Sequence, residues 1–108
     1  MYHNPKCSKS RQTLALIRDK GIEPDIVEYL LNPPSVAELK DVLVKLALEP
    51  RDIVRQKEAR EEGIANDLDG TALIEAICKH PRTLQRPIVV KDGKAAVGRP
   101  PENVLNIL

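Results

Sequence analysis

Cys7 is the residue of this sequence best placed to do chemistry, because it lies where a turn leads into a helix. A thiolate is the nucleophilic form of cysteine, and a free thiol has a pKa near ~8.5. The unpaired N–H groups and the dipole of a helix N-terminus stabilise a thiolate. Three cations flank Cys7 in the sequence: Lys6, Lys9 and Arg11. The pattern therefore predicts a reactive thiol rather than a structural cysteine buried in a capping turn.

The segment after Cys7 is also a candidate anion-binding loop. N–H groups at a helix N-terminus can bind an oxyanion, so one loop can hold both nucleophile and substrate. His3, four residues before Cys7, can add positive charge or accept the thiol proton. Helix capping alone would explain the two serines of the loop. The candidate loop consists of Ser8, Lys9, Ser10 and Arg11.

Three arginines are candidates for binding an anion. Arg86 precedes a proline at the start of a predicted core strand. In the fold that the order of elements predicts, a proline at this position is often cis and faces the loop of the first helix. Arg99 precedes another proline at a strand-to-helix turn, and Arg55 lies in the central helical region. If two or more converge on Cys7, their forked N–H groups would hold a trigonal or tetrahedral oxyanion.

The second cysteine has a different setting. Cys78 follows Ala76 and Ile77 in an apolar helical stretch, where cysteine usually acts as a small hydrophobic residue, and we expect it to be inert. The chain has two cysteines and two histidines, but their spacing does not resemble a zinc site. We therefore expect no metal and no bound cofactor.

Composition limits the class of protein. A chain of 108 residues, 42% of them hydrophobic, is long enough for one domain with an aliphatic core. A net charge of +1 excludes nucleic-acid binding through bulk charge. No apolar run approaches the roughly 20 residues of a membrane span, and no signal-peptide pattern begins the sequence. We expect a soluble, cytoplasmic, single-domain protein with free thiols.

The predicted elements place Cys7 between a first strand and a first helix. Residues 1–3 form a short strand, residues 8–20 a helix and residues 25–30 a second strand. A capping box at residues 35–38 starts a helix, and further helices are predicted for residues 51–62 and from residue 69 to 80. Residues 87–90 and 95–98 form a hairpin around Asp92-Gly93, and a closing helix starts at residue 100.

This order, β-α-β, a helical insert at about residues 35–80, then β-β-α, predicts the fold class. A β-α-β unit makes its strands parallel, whereas a hairpin makes its strands antiparallel. We expect an α/β protein with a mixed four-stranded sheet flanked by helices, in the order of a thioredoxin-like fold.

Three segments of the sequence resemble motifs of the glutaredoxin-coupled arsenate reductase family. Residues 3–11 (HNPKCSKSR) resemble its opening motif, residues 86–90 (RPIVV) its second and residues 98–102 (GRPPE) its third. Residues 51–55 (RDIVR) are similar to the segment of the insert that carries another family arginine. The insert, which continues as Gln56-Lys57-Glu58, is closer to the shorter arsenate-reductase-like members.

The resemblance implies a thioredoxin-like fold and reduction of arsenate to arsenite. Cys7 matches the nucleophile that attacks arsenic, with glutathione as co-substrate and glutaredoxin as the partner that resolves the mixed disulfide. His3 matches the residue that lowers the pKa of the cysteine. The oxyanion-binding arginines of the family match Arg55, Arg86 and Arg99.

Two related mechanisms do not fit the residues. A C-x-x-C redox pair would need a cysteine at position 10, which is serine, so the loop forms no internal disulfide. Arsenate reductases built on a C-x5-R phosphatase loop would need an arginine at position 13, which is threonine. Two alternatives stay open: a thiol oxidoreductase acting on glutathione mixed disulfides, and a non-catalytic redox regulator that binds RNA polymerase.

Overall fold

Four strands form one mixed sheet in the computed structural model, which describes residues 1–108. The strands are β1 (Tyr2–His3), β2 (Val27–Glu28), β3 (Ile88–Lys91) and β4 (Lys94–Val97). They lie in the sheet in the order β2-β1-β3-β4. Its first and second strands are parallel, while the other neighbours are antiparallel. The predicted mixed four-stranded sheet is therefore confirmed.

The hairpin turns where the sequence predicted it. Asp92 and Gly93 have φ angles of 49° and 81°, so both central residues adopt the left-handed conformation of a tight hairpin turn. Lys91 pairs with Lys94 directly across the turn. The second strand of the hairpin is Lys94–Val97, so it begins and ends one residue earlier than the predicted strand, residues 95–98.

β2 is shorter than the strand that the sequence predicts over residues 25–30. β1 is only two residues long, and it supplies one partner each for Val27 and Glu28. A strand residue without a neighbouring strand has no ladder hydrogen bonds, so pairing ends with β1.

One compact unit consists of residues 1–32 and 86–108. Its helix α1 (Ser8–Asp19) contributes Ile17 to a core cluster with Val89 and Val104. The closing segment, Pro101–Ile107, is a 3₁₀ helix rather than the α-helix expected from residue 100. Its Val104 is fully buried in that cluster. Burial of such aliphatic side chains stabilises this unit by roughly 1.5–3 kcal/mol each.

The other compact unit, residues 33–85, is helical. It contains α2 (Val36–Leu46), α3 (Gln56–Glu61) and α4 (Gly70–Lys79). The predicted capping box is present, with Ser35 and Glu38 each accepting the backbone N–H of the other. Asp69 caps α4. The buried faces of α2 and α4 are Leu39, Val42, Leu43, Leu73, Ile74 and Ile77.

The prediction of a single helix over residues 51–62 is wrong. A 3₁₀ helix, Pro50–Ile53, is followed by an extended stretch before α3 begins at Gln56. Arg55, in that stretch, donates its backbone N–H to the carbonyl of Thr83, and the carbonyl of Ile53, at the end of the 3₁₀ helix, accepts the N–H of Gln85. Backbone groups used in this pairing cannot also form helical bonds, so the helix is interrupted.

Across the whole described chain, no helix combines the length and apolar character that crossing a membrane would require.

Candidate active site

A tight turn positions Cys7 at the N-terminus of α1. The N–H of Cys7 donates to the carbonyl of Asn4 at 3.0 Å, and the Asn4 side-chain oxygen accepts the N–H of Lys6 at 3.0 Å. Cys7 is the extended N-cap residue of α1, and its carbonyl accepts the N–H of Arg11. Its side chain is half-buried. The thiol therefore lies at the helix end that favours negative charge.

The surroundings of Cys7 favour its ionised form. Burial by itself would raise the pKa of the Cys7 thiol, but the backbone N–H of Ser10, the Arg86 guanidinium and the backbone N–H of Lys9 outweigh burial, and the pKa is lowered. The uncharged thiol makes no capping hydrogen bond, so these N–H groups act on the thiolate. Opposite charge and hydrogen bonds to a charged form both lower the pKa of an acid.

A second guanidinium lies beside the same sulfur. Nη2 of Arg99 is 3.8 Å from Sγ of Cys7. Nε of Arg99 donates to the carbonyl of Arg86 at 2.8 Å, and the side chain of Asn103 donates to the Arg99 carbonyl at 3.0 Å. Arg99 is thus tied at its side chain and at its backbone. The structure brings two of the three predicted arginines, Arg86 and Arg99, to Cys7.

Both of these arginines precede a proline through a cis peptide bond. The cis bond before Pro87 agrees with the sequence-based expectation. The cis bond before Pro100 has no counterpart in that expectation.

His3 contacts Ser10. Its Nδ1 is 2.7 Å from the Ser10 hydroxyl oxygen, which also accepts the backbone N–H of Asn4 at 3.0 Å. Burial lowers the pKa of His3, with Glu28 opposing that change, so the imidazole favours its neutral form. His3 thus contacts the side chain of Ser10, the residue whose backbone N–H acts on the Cys7 sulfur. The predicted role of His3 in lowering the pKa of Cys7 stays a prediction.

The remaining residues of the candidate loop are exposed. Ser8 and Lys9 face solvent, and Lys9 acts on Cys7 through its backbone N–H. The guanidinium of Arg11 donates to the carbonyl of Pro5 at 2.9 Å, so it braces the turn.

Arg55 lies in the unit formed by residues 33–85. It is the N-cap residue of α3, and its Nε donates to Glu58 at 2.9 Å. Its Nη1 is buried and has no hydrogen-bond partner. A buried donor of this kind normally finds an acceptor. The predicted role of Arg55 as an anion ligand stays a prediction.

The environment of Cys78 shifts the pKa of its thiol in the opposite direction from that of Cys7. It is half-buried in α4, where burial, followed by the charge of Glu38, raises the pKa of its thiol. Both cysteines are free thiols. Nowhere in residues 1–108 do three His, Cys, Asp or Glu side chains come together as a metal site.

Tyr29 is the one residue at this site that the sequence reasoning treated only as part of a strand. It follows β2 directly and is 0% exposed. Its neighbours in electrostatic terms include Arg86, Cys7 and Arg99. A strand pattern alone does not give the pairing register, so it could not indicate which strand residue lies near Cys7.

The assembled site can perform nucleophilic chemistry on an anion. It has a thiol with a lowered pKa, two N–H groups of a helix N-terminus and two guanidiniums. Guanidiniums pair with planar or tetrahedral oxyanions through two parallel N–H bonds. Because the cations that favour the thiolate also attract an anion, they can place the substrate next to its nucleophile.

Comparison with known proteins gives close relatives along the whole chain. It is 48% identical over 112 residues to an arsenate reductase of Neisseria meningitidis serogroup A, covering 100% of this chain and 96% of that protein. It is 47% identical over 112 residues to the protein YfgD of Escherichia coli K12, covering 100% of this chain and 94% of the relative.

Solved structures are also similar. An arsenate reductase from Vibrio cholerae has a TM-score of 0.92 at 49% identity, covering 99% of this chain and 94% of that chain. A putative arsenate reductase from Yersinia pestis has a TM-score of 0.92 at 46% identity, covering 98% of this chain and 96% of that chain. The model of the ArsC family matches residues 2–107. With that match and these relatives, the chain belongs to the ArsC family.

Proposed function

We propose that this protein reduces arsenate to arsenite, with Cys7 as the nucleophile and with glutathione and glutaredoxin as electron donors. The observation that carries the proposal is the placement of Arg86 and Arg99 beside the sulfur of Cys7, whose pKa is lowered. The relatives described as arsenate reductases support the choice of arsenate among oxyanions.

The first step forms a bond between the Cys7 sulfur and arsenic. The thiolate attacks As(V), and one arsenate oxygen leaves as water after taking up protons. Arg86 and Arg99 would hold the remaining oxygens and offset their charge, as preorganised donors do in other acyl- and phosphoryl-transfer sites.

The second step reduces arsenic by two electrons. The thiolate of glutathione attacks the Cys7 sulfur, the sulfur–arsenic bond breaks, and its electron pair stays on arsenic. Arsenite, As(III), leaves, and Cys7 is joined to glutathione in a mixed disulfide. Glutaredoxin then takes the glutathione moiety, and Cys7 returns as a thiolate. Two thiols are oxidised to one disulfide for each arsenate reduced.

An external thiol is required because the loop holds a single sulfur. Position 10 is serine, and the other cysteine, Cys78, has a raised pKa in a different element. Free thiols and a glutathione-dependent cycle suit a reducing compartment such as the cytoplasm.

The test is arsenite release with arsenate, glutathione and glutaredoxin. Cys7→Ser replaces the nucleophile with an oxygen that stays protonated at neutral pH, so arsenite release should fall to the level without enzyme. Cys78→Ser is the matched control and should retain the wild-type rate. Equal loss in both variants, or full activity of Cys7→Ser, would contradict the assignment of the nucleophile.

Two other outcomes would favour the alternatives. Reduction of glutathione mixed disulfides without arsenite release would indicate a general thiol oxidoreductase. No turnover of either substrate, together with recovery of RNA polymerase by the purified protein, would indicate a regulatory role.

A further inference from the structure

The sheet register places Tyr29 at the edge of the sheet where the Cys7 turn begins. His3, the last residue of β1, pairs with Glu28, the last residue of β2. The next residues along the two strands, Asn4 and Tyr29, are therefore level with each other. Because β1 and β2 are parallel, both chains leave the sheet at the same edge, the carboxyl edge where open α/β sheets commonly bind ligands.

The hydroxyl of Tyr29 is a buried polar group whose proton has no acceptor in the protein. The whole side chain is 0% exposed, and no group meets the geometry of a hydrogen bond to its oxygen. A buried hydroxyl without a partner is destabilising, and a phenylalanine would fill the same space without that cost. An acceptor on a bound ligand would remove this cost, because the hydroxyl could then donate a hydrogen bond to it.

The groups that influence this hydroxyl are those of the candidate site. Burial raises the pKa of Tyr29 to about 12, and a Cys7 thiolate adds to the rise. The charge of Arg86, a hydrogen bond from the Asn4 side chain to the phenolate and the charge of Arg99 oppose it. Asn4 acts here as a donor, so the hydroxyl proton is still free to be donated. The hydroxyl therefore lies within electrostatic range of the sulfur and both guanidiniums. It also keeps its proton at every pH at which Cys7 titrates, so it remains a hydrogen-bond donor.

We propose that the Tyr29 hydroxyl donates a hydrogen bond to an oxygen of the oxyanion substrate bound beside Cys7. The inference rests on the proposed function and names a further substrate-binding residue for it. Arg86 and Arg99 supply charge, whereas Tyr29 supplies a directed, uncharged donor from the β2 side. An oxyanion would also give the buried hydroxyl the acceptor that the protein does not supply.

The test measures how well arsenate protects Cys7 from alkylation by iodoacetamide, an uncharged reagent, in a Cys78→Ser background. Tyr29→Phe removes only the hydroxyl. Loss of one hydrogen bond to a charged group should raise the half-protecting arsenate concentration about tenfold. Tyr2→Phe is the matched control, because Tyr2 is the only other tyrosine, and it should leave that concentration unchanged.

A second measurement keeps the native hydroxyl. In the Tyr2→Phe protein, 3-fluorotyrosine incorporation labels Tyr29 alone, and arsenate should shift its ¹⁹F resonance with the same concentration dependence as the protection of Cys7. A purely packing role predicts no such shift and unchanged protection in Tyr29→Phe, and either result would overturn the inference.

Two further outcomes are decisive in other ways. If Tyr29→Phe raised the pKa of Cys7 but left arsenate protection unchanged, the hydroxyl would serve the thiolate and the inference would be wrong. If arsenate failed to protect Cys7 in the wild-type background, the proposed function would fail and the inference with it.

Discussion

The reactivity of Cys7 depends on a balance between burial and a few donors. Burial disfavours the thiolate, and the N–H of Ser10, the guanidinium of Arg86 and the N–H of Lys9 together reverse that effect. The backbone contributions come with the helix N-terminus. The contribution of Arg86 comes from a residue 79 positions away in the chain, so it is the part that a substitution can remove.

Arg86→Gln should raise the pKa of Cys7, because an uncharged amide replaces the cation that stabilises the thiolate. The fraction of thiolate at neutral pH then falls, and so does charge stabilisation of the bound oxyanion. Removing one such donor commonly lowers kcat by about 100-fold or more. The pH dependence of alkylation measures the first effect, and arsenite release measures the second.

Arg82→Gln is the control for that substitution. Arg82 is an exposed arginine that pairs with Glu61 and Glu62 in the helical unit. Its replacement should leave both measurements unchanged. An unaltered pKa of Cys7 in Arg86→Gln would contradict the role of Arg86.

For single residues, the sequence predicts features that neighbouring residues encode, but it does not predict contacts between residues far apart in the chain. Cys7 could be identified as a candidate because the residues next to it predict a turn and the start of a helix. Whether His3 would contact Cys7 or Ser10 depends on ring orientation, and the structure has it on Ser10. The position of Tyr29 near Cys7 depends on strand register, and a strand of two residues has no sequence pattern that encodes its register.

Gly98 is where the elements of the site meet. A Cβ at this position would lie 2.6 Å from Oγ1 of Thr13 in α1 and 2.8 Å from Cγ of Pro87. α1, the proline that precedes β3 and the residue after β4 therefore approach closely at a point next to Arg99. Only a residue without a side chain allows that approach.

Gly98→Ala should destabilise the protein and disturb the site together. Overpacking of this kind costs about 1–3 kcal/mol of the free energy of unfolding. Because Arg99 is the next residue, its guanidinium should also move from Cys7, and we expect arsenite release to fall about tenfold or more at temperatures where the variant is folded. Urea unfolding and the arsenite assay measure the two effects.

Gly93→Ala separates the site effect from simple loss of stability. Gly93 has a φ of 81° in the hairpin turn, and a Cβ there would contact nothing within 4 Å. Alanine should cost about 1 kcal/mol through backbone strain while arsenite release is retained. Equal activity in the two glycine variants would show that the close approach at Gly98 does not position Arg99.

Elements with strong local signals were predictable, and those set by pairing were not. The capping box at Ser35 and the turn at Asp92 are encoded in a few adjacent residues and are confirmed. The interruption before α3 arises from backbone pairing with residues 83–85, which no local pattern reveals. The same holds for the 3₁₀ form of the closing helix.

For the whole molecule, the order of elements was sufficient to predict a mixed sheet. Parallel strands follow from a β-α-β unit and antiparallel ones from a hairpin, and together they predict the mixed sheet that the structure confirms. The pairing of β1 with β3, which completes the order β2-β1-β3-β4, does not follow from these two rules. The placement of a side chain such as Arg55 depends on long-range packing of the helical unit, and a sequence pattern does not determine it.

The ionisation of Cys7 is measured by the pH dependence of its alkylation in the Cys78→Ser protein. A thiolate reacts and a thiol does not, so the rate should rise with pH and half-saturate at the pKa of Cys7. A sulfur kept ionised beside an anion site should give a midpoint clearly below the ~8.5 of a free thiol, and arsenate should protect it. A midpoint at or above that value, with no protection, would contradict an ionised sulfur beside an anion site.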